Sequence, residues 1–245
     1  MGTRVELVMG LPISLDLRDD GDFSAAADDV FGWLRAVDAR FSPFKVDSEV
    51  RRYDRGELTT GELSDDLVEV LGLCAEYEEL SGGAFKARLP GRPLDPCAVV
   101  KGWAVQRAAD RLRAAGARNF CLNAGGDVVT AGEPEPGRPW LVGVRHPEQF
   151  EAVCAVIGSR DGAVATSAEY ERGAHIVDGR SGLPAAGLLS VTIVAADLTV
   201  ADATATAAFA LGAEGIGWAA SRPGCSVLII DADHRVHRSA GLDLH

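Results

Sequence analysis

The sequence predicts an α+β fold with largely antiparallel sheets and packed helices, on the strength of three observations. Apolar residues recur at helical spacing in a few long segments, for example Val30, Phe31, Leu34 and Val37. Short apolar runs bounded by Gly, Pro, Asn and Asp crowd into the stretch after residue 120 and read as strands. Helices and strands also come in blocks rather than in strict alternation, which argues against a parallel βαβ sheet. At 245 residues the chain can form one large domain or two small lobes sharing a cleft.

The elements follow in order. Val5–Met9 and Ile13–Leu17 read as strands interrupted at Gly10–Pro12, with a turn at Asp19–Asp22 before a helix that opens at Ser24. Ser64-Asp65-Asp66 supplies an N-cap and an acidic first turn to a second helix running to Leu80. Residues 81–95 hold Gly82-Gly83, Pro90-Gly91 and Pro93 and read as loop. A third helix begins after Asp95-Pro96, carries Val99, Val100, Trp103 and Leu112 inward, and stops near Gly116. Strands are expected at Phe120–Asn123, Asp127–Thr130, Trp140–Val144, Val153–Ile157, Ala163–Thr166, His175–Val177 and Ser190–Val194, with a surface loop at Gly132–Pro139. A long helix over Thr199–Leu211 and a shorter one over Ile216–Ser221 lead to a C-terminal hairpin, Cys225–Ile230 against Arg235–Ser239.

Composition narrows the function. Apolar residues make up 47 % and charged residues 24 %, ordinary for a globular protein with a sizeable core. A net charge of −12 argues against nucleic-acid binding, since phosphate backbones call for a basic footprint. A nucleotide ligand stays possible where a lysine, helix N-termini or a metal supply local positive charge. The five cysteines form no CxxC pair and have mostly apolar neighbours, so they read as buried hydrophobes of a reducing, cytoplasmic protein. No run is long and apolar enough to span a bilayer, and Met1–Val8 carries no signal or lipid-anchor pattern.

Four constellations carry candidate chemistry, each with a plain structural reading beside it. Asp95-Pro96-Cys97-Ala98 through Lys101-Gly102 places a lysine within two turns of a helix N-terminus, where it can meet a phosphate; it is equally a capped amphipathic helix with a solvated lysine. Asn123-Ala124-Gly125-Gly126-Asp127 lets a backbone approach a ligand closely, or simply turns a hairpin. Ala165-Thr166-Ser167 offers hydroxyls at a strand end, and His175 near Asp178 has the makings of an oriented base or of a hydrogen-bonded, half-buried histidine. In Ala201-Asp202 to Thr206, a carboxylate and a hydroxyl lie one turn apart on a helix, a donor set suited to Mg2+. The plain reading is the N-terminal cap of an alanine-rich helix.

Taken in order, these segments resemble the ApbE family of FAD:protein FMN transferases over nearly the whole chain. The resembling stretches are Met9-Gly10, Phe41-Ser42-Pro43-Phe44 with Ser48, Ser81-Gly82-Gly83-Ala84-Phe85 and Asp95 to Lys101-Gly102. They continue with Asn123–Asp127, Ala165–Ser167, His175 with Asp178 and Gly182, and Ala201-Asp202 with Thr206. The resemblance implies a single domain over 1–245 with a cleft between two lobes. It implies an enzyme that uses Mg2+ to move FMN from FAD onto a threonine or serine of an acceptor protein, with AMP leaving. On that basis Met9, Ala84, Phe85, Lys86, Asp95, Lys101, Ile176 and Val177 would line FAD. The backbone carbonyl of Ala98 and the side chains of Asp202 and Thr206 would hold Mg2+, and His175 and Asp202 would be the catalytic residues. The chain departs from the family pattern at Leu11, at Lys86-Ala87-Arg88, at Ala168 and at Gly179. A Mg2+-dependent FAD diphosphatase and a low-turnover FAD-binding protein are alternative readings of the same residues.

Overall fold

A computed structural model of the chain describes residues 2–149, 151–168 and 176–245. Its centre is an eight-stranded sheet in the order β1-β2-β3-β4-β7-β10-β11-β12, with every neighbouring pair antiparallel. These strands are β1 (Arg4–Val8), β2 (Leu11–Leu17), β3 (Phe120–Ala124), β4 (Asp127–Ala131), β7 (Gly162–Ala168), β10 (Leu188–Ala195), β11 (Ser226–Asp231) and β12 (Val236–Arg238). Two hairpins lie outside it: β5 (Trp140–Arg145) with β6 (Val153–Ser159), and β8 (Val177–Asp178) with β9 (Leu183–Pro184). The helices are α1 (Ser24–Phe41), α2 (Glu49–Asp54), α3 (Asp65–Leu80), α4 (Cys97–Ala114), α5 (Leu198–Leu211) and α6 (Glu214–Ala220).

Period-two alternation sends successive side chains to opposite faces, and both faces of the central strands are covered. Val129, Ala163, Ala165, Ile193 and Ile229 face the helices α1, α3, α4 and α5 in the main core. Val128, Val164 and Leu228 face the other way, against Val142, Val144 and Ile157 of the β5–β6 hairpin and against Leu242 and Leu244. This two-sided covering is why β4 is buried at every position.

Helix α5 is the axis of the helical layer. Its sequence LTVADATATAAFAL is small-residue-rich, and its buried set covers nearly the whole circumference, as expected of a helix enclosed on all sides. Asp197 caps it, accepting from the N–H groups of Thr199 and Val200 at 2.7 and 3.2 Å. Small residues let α4 come close. A Cβ added at Gly102 of α4 would lie 2.7 Å from the Leu198 carbonyl oxygen and 2.8 Å from Asp202 Cβ.

The strand and helix expectations are met in outline; among the differences, the strand expected over His175–Val177 begins at Val177, with His175 outside the described residues, and three others bear on the site. Helix α2 has no strong apolar periodicity; it forms because Ser48 caps it, accepting from Arg51 N–H at 3.1 Å, and because Val50 is buried. The interruption between β1 and β2 is confined to Met9-Gly10, both at positive φ (55° and 72°), so the strand resumes at Leu11 rather than after Pro12. With Asp95 expected as the N-cap and Pro96 as the first helical residue, the α4 cap is shifted by one: Asp95 Oδ1 accepts from Cys97 N–H at 3.0 Å, Pro96 takes the cap position, and Cys97 is the first helical residue.

Candidate functional site

A cavity of about 510 Å³ opens beside α4 and α5. Its walls come from Phe41 at the end of α1 and the loop after it (Ser42 to Phe44), the loop at 85–95, the hairpin turns at Met9–Leu11 and Gly125, and Ile176 and Val177. The missed helix α2 holds one wall in place: Asp54 Oδ1 accepts from Leu94 N–H at 3.1 Å and from Arg88 at 2.7 Å. The Asp95 N–H donates to the Ala87 carbonyl at 2.8 Å, which folds the loop back on itself. A loop so anchored is preorganised to line a ligand.

The polar floor is built from three elements. Lys101, near the start of α4, forms an ion pair with Asp127 of β4 and approaches Asp202 Oδ1 of α5 at 3.4 Å. Asp127 and Asp202 are only 1 % and 2 % exposed. Asp127 Oδ1 accepts from Thr166 N–H at 3.0 Å, and Asp202 Oδ2 accepts from Gly102 N–H at 2.9 Å. Ser167 Oγ and Thr206 Oγ1 lie 3.2 Å apart on the adjoining wall.

One lysine therefore faces two buried carboxyl groups, and with both ionised the floor is short of one positive charge. Burial, with Asp127 adding its repulsion, pushes the Asp202 carboxyl up to about 7 although Lys101 pulls the other way. Among the described residues no group of three or more His, Cys, Asp or Glu converges. A cation on this floor must therefore take hydroxyl and carbonyl oxygens as well as carboxylates, and such an all-oxygen donor set suits Mg2+.

The structure decides between the paired readings of several segments. Lys101 is not a solvated lysine, since its side chain is 23 % exposed and engaged by acids. Asp202 is not the cap of α5; Asp197 has that task, which leaves Asp202 free to point at Lys101. Gly125 and Gly126, at φ of 63° and 106°, do turn the β3–β4 hairpin, and Gly125 also borders the cavity.

Met9, Phe85, Lys86, Asp95, Ala98, Lys101, Ile176, Val177, Asp202 and Thr206 all lie along the one cavity. Ala84 does not reach it: it is fully buried against Ala210 and Leu211, and its carbonyl accepts from Gly179 N–H at 2.8 Å, tying the β8–β9 hairpin to the wall. His175 lies outside the described residues. Sequence reasoning left Asp127 without a role in the site, although a carboxylate directly after a Gly-Gly turn, followed by an apolar strand, was the available signal. Arg51 and Arg92 also border the cavity, with no sequence pattern to announce them.

The site is thus an antiparallel sheet backed by helices, with a lysine and two buried acids at the floor of one cavity. The ApbE family model matches residues 1–90 and 86–229, and the chain belongs to the ApbE family. It is similar to the FAD:protein FMN transferase of Haemophilus influenzae, 24 % identical over 83 % of this chain and 79 % of that protein. It is also 34 % identical to the FAD:protein FMN transferase of Rhodobacter capsulatus, over 55 % of this chain but only 27 % of that protein. In fold it superposes on the ApbE protein of Thermotoga maritima with a TM-score of 0.85 at 24 % identity, covering 97 % of this chain and 96 % of that one. The flavin transferase ApbE of Vibrio cholerae gives 0.83 at 22 % identity, covering 97 % and 96 %.

Proposed function

We propose that this chain is a Mg2+-dependent FAD:protein FMN transferase, which attaches FMN from FAD to a threonine or serine of an acceptor protein and releases AMP. The observation that carries the reading is the floor of Lys101, Asp127 and Asp202, a buried site with one positive charge too few. The names of the relatives supply the reaction, and the cavity supplies room for a ligand. Residues 1–245 are read as one transferase domain, because a single sheet runs from Arg4 to Arg238.

Asp202, Thr206 and the carbonyl of Ala98 would hold Mg2+. In a regular helix the Gly102 N–H bonds to the Ala98 carbonyl. Here that N–H also has Asp202 Oδ2 as acceptor, so the Ala98 carbonyl has bonding capacity to spare for a cation. Bound there, Mg2+ would neutralise diphosphate charge and stabilise the departing oxygen. Lys101 adds a fixed positive charge beside the same phosphates.

In the proposed reaction the acceptor hydroxyl oxygen bonds to the FMN-side phosphorus. The bond from that phosphorus to the bridging oxygen breaks, and AMP carries the bridging oxygen away. His175 is the group proposed to take the hydroxyl proton, a role for which an imidazole near neutrality is suited. The apolar walls, Phe85, Ile176 and Val177 among them, would exclude the water that otherwise competes for the phosphorus.

A cytoplasmic setting belongs to the same proposal. The expectation of five buried cysteines holds for Cys74 alone, since Cys97, Cys121 and Cys225 are half-buried and Cys154 is exposed; burial pushes the thiols of Cys74 and Cys121 up to about 12, which keeps them protonated and unreactive. No helix among the described residues is long and apolar enough to cross a membrane.

The test is mass spectrometry of a candidate acceptor protein after incubation with this protein, FAD and Mg2+. A mass gain of one FMN unit on a threonine or serine, with AMP in solution, is the expected result. Release of FMN with the acceptor unlabelled would make the protein a diphosphatase, and a bound yellow flavin with no product would make it a carrier.

A further inference from the structure

Asp127 and Asp202 share one lysine, and they do not hold it equally. Lys101 Nζ is in direct contact with Asp127 Oδ2. Asp202 Oδ1 stands 3.4 Å away, longer than the about 2.7–2.9 Å of a charge-assisted N–H···O bond. The Asp127 carboxylate is fixed from behind. The β4–β7 ladder ends where Val128 lies opposite Val164, and beyond that pair Asp127 Oδ1 accepts from the Thr166 N–H at 3.0 Å. At 1 % exposure the residue is enclosed by protein on every side.

The sheet alone does not call for a carboxylate here. An asparagine oxygen would meet the Thr166 N–H equally well, without the cost of burying a charge. Nor does the lysine alone call for it, because Asp202 by itself would neutralise one ammonium. A second acid has a use where Asp202 is taken by another positive ion. The charges then match in two pairs, Lys101 with Asp127 and a divalent cation with Asp202. Without Asp127 the ammonium, a compact charge on a flexible four-carbon stem, would turn to the acid it already approaches. It would then occupy the oxygen that a metal ion needs. Asp202 Oδ2 is already committed to the Gly102 N–H at 2.9 Å, so Oδ1 is the oxygen at stake.

We infer that Asp127 is a positioning residue, which holds the Lys101 ammonium aside so that Asp202 Oδ1 stays open to a divalent cation. Its role passes through Lys101 and not through contact with the cation itself. This inference rests on the proposed reading of Asp202 as a metal ligand.

Mn2+ alone serves as the probe, since it takes the same oxygen donors as Mg2+ and its free-ion EPR signal is lost on binding. D127N keeps the shape of the side chain and an oxygen for the Thr166 N–H, but removes the charge that holds the ammonium. In D127N the affinity for Mn2+ should fall about tenfold, because the ion then has to displace one charge-assisted hydrogen bond. Crystals of metal-free D127N should show Lys101 Nζ moved onto Asp202 Oδ1, to within about 2.9 Å. D127S loses the same charge with a smaller side chain and should agree in both respects. Weaker Mn2+ binding with Lys101 still in its present place would mean that Asp127 acts on the ion through its charge alone, which overturns the inference. Unchanged affinity overturns it too. If the unsubstituted protein bound no Mn2+, or if Asp202→Ala bound it equally well, the failure would lie with the proposed metal site instead.

Discussion

At the scale of single residues, the chemistry turns on where a few charges are buried. Asp202 sits in an alanine-rich helix, and nothing in its immediate sequence separates a capping acid from a functional one. The contacts make the distinction, because Asp197 already satisfies the first N–H groups of the helix and Asp202 meets Gly102 N–H and Lys101 instead. We predict that Asp202→Ala lowers transfer at least about a thousandfold, since a hard cation loses its charged ligand and with it several kcal/mol of charge stabilisation. Mg2+-dependent labelling at the unsubstituted rate would remove Asp202 from the metal site. His175→Ala should behave differently, slowing transfer about 10²- to 10⁴-fold, the range of a lost general base, while FAD binds nearly as before. Equal losses in turnover and in FAD affinity, measured side by side, would mean that His175 supports the site rather than the proton transfer.

Among the elements, the contact of α4 with α5 is the joint on which the site depends. Gly102 allows it: an added methyl would press on the Leu198 carbonyl and Asp202 Cβ, both fixed atoms of α5. Gly102→Ala should therefore cost about 1–3 kcal/mol by overpacking and lower the melting temperature by several degrees. Gly72, in the middle of α3 with nothing within 4 Å of an added Cβ, provides the contrast. There the same substitution should stabilise by up to about 1 kcal/mol through helix propensity alone. Thermal melts of the two variants check both signs, and a neutral Gly102→Ala would mean that the helices are not so closely held. The elements most readable from sequence were the long periodic helices, α1, α3 and α4, and the C-terminal hairpin. Helix α2 escaped because one turn and a half buries a single apolar residue, Val50, and leaves no period to detect.

For the whole molecule, the proposed function asks an anionic protein to bind an anionic ligand. The net charge of −12 opposes this, so binding must come from local features: Lys101 and Lys86 at the cavity, and a cation on the acidic floor. Ligand linkage makes the proposal measurable. With Mg2+ present and FAD at about 100 times its dissociation constant, the fold should gain about 2.7 kcal/mol and melt about 5–10 °C higher. Omitting Mg2+ should shrink the shift, because the diphosphate then meets two buried carboxylates across one lysine. Melting curves that ignore FAD at every concentration would say that the cavity is not its site.

Sequence alone was sufficient for the α+β class, most element positions and the short segments that resemble the ApbE family, because periodicity, caps and glycine turns are local properties. The same local rules left each candidate segment divided between a chemical role and a structural one. For the segments of Lys101 and Asp202 only the tertiary structure chose between them, by bringing Lys101, Asp127 and Asp202 together from positions about a hundred residues apart. Burial and charge pairing arise between elements, not within them. No window of the chain therefore contained the acidic floor, or the contact of the Lys86 side chain with Gly83 and Gly179.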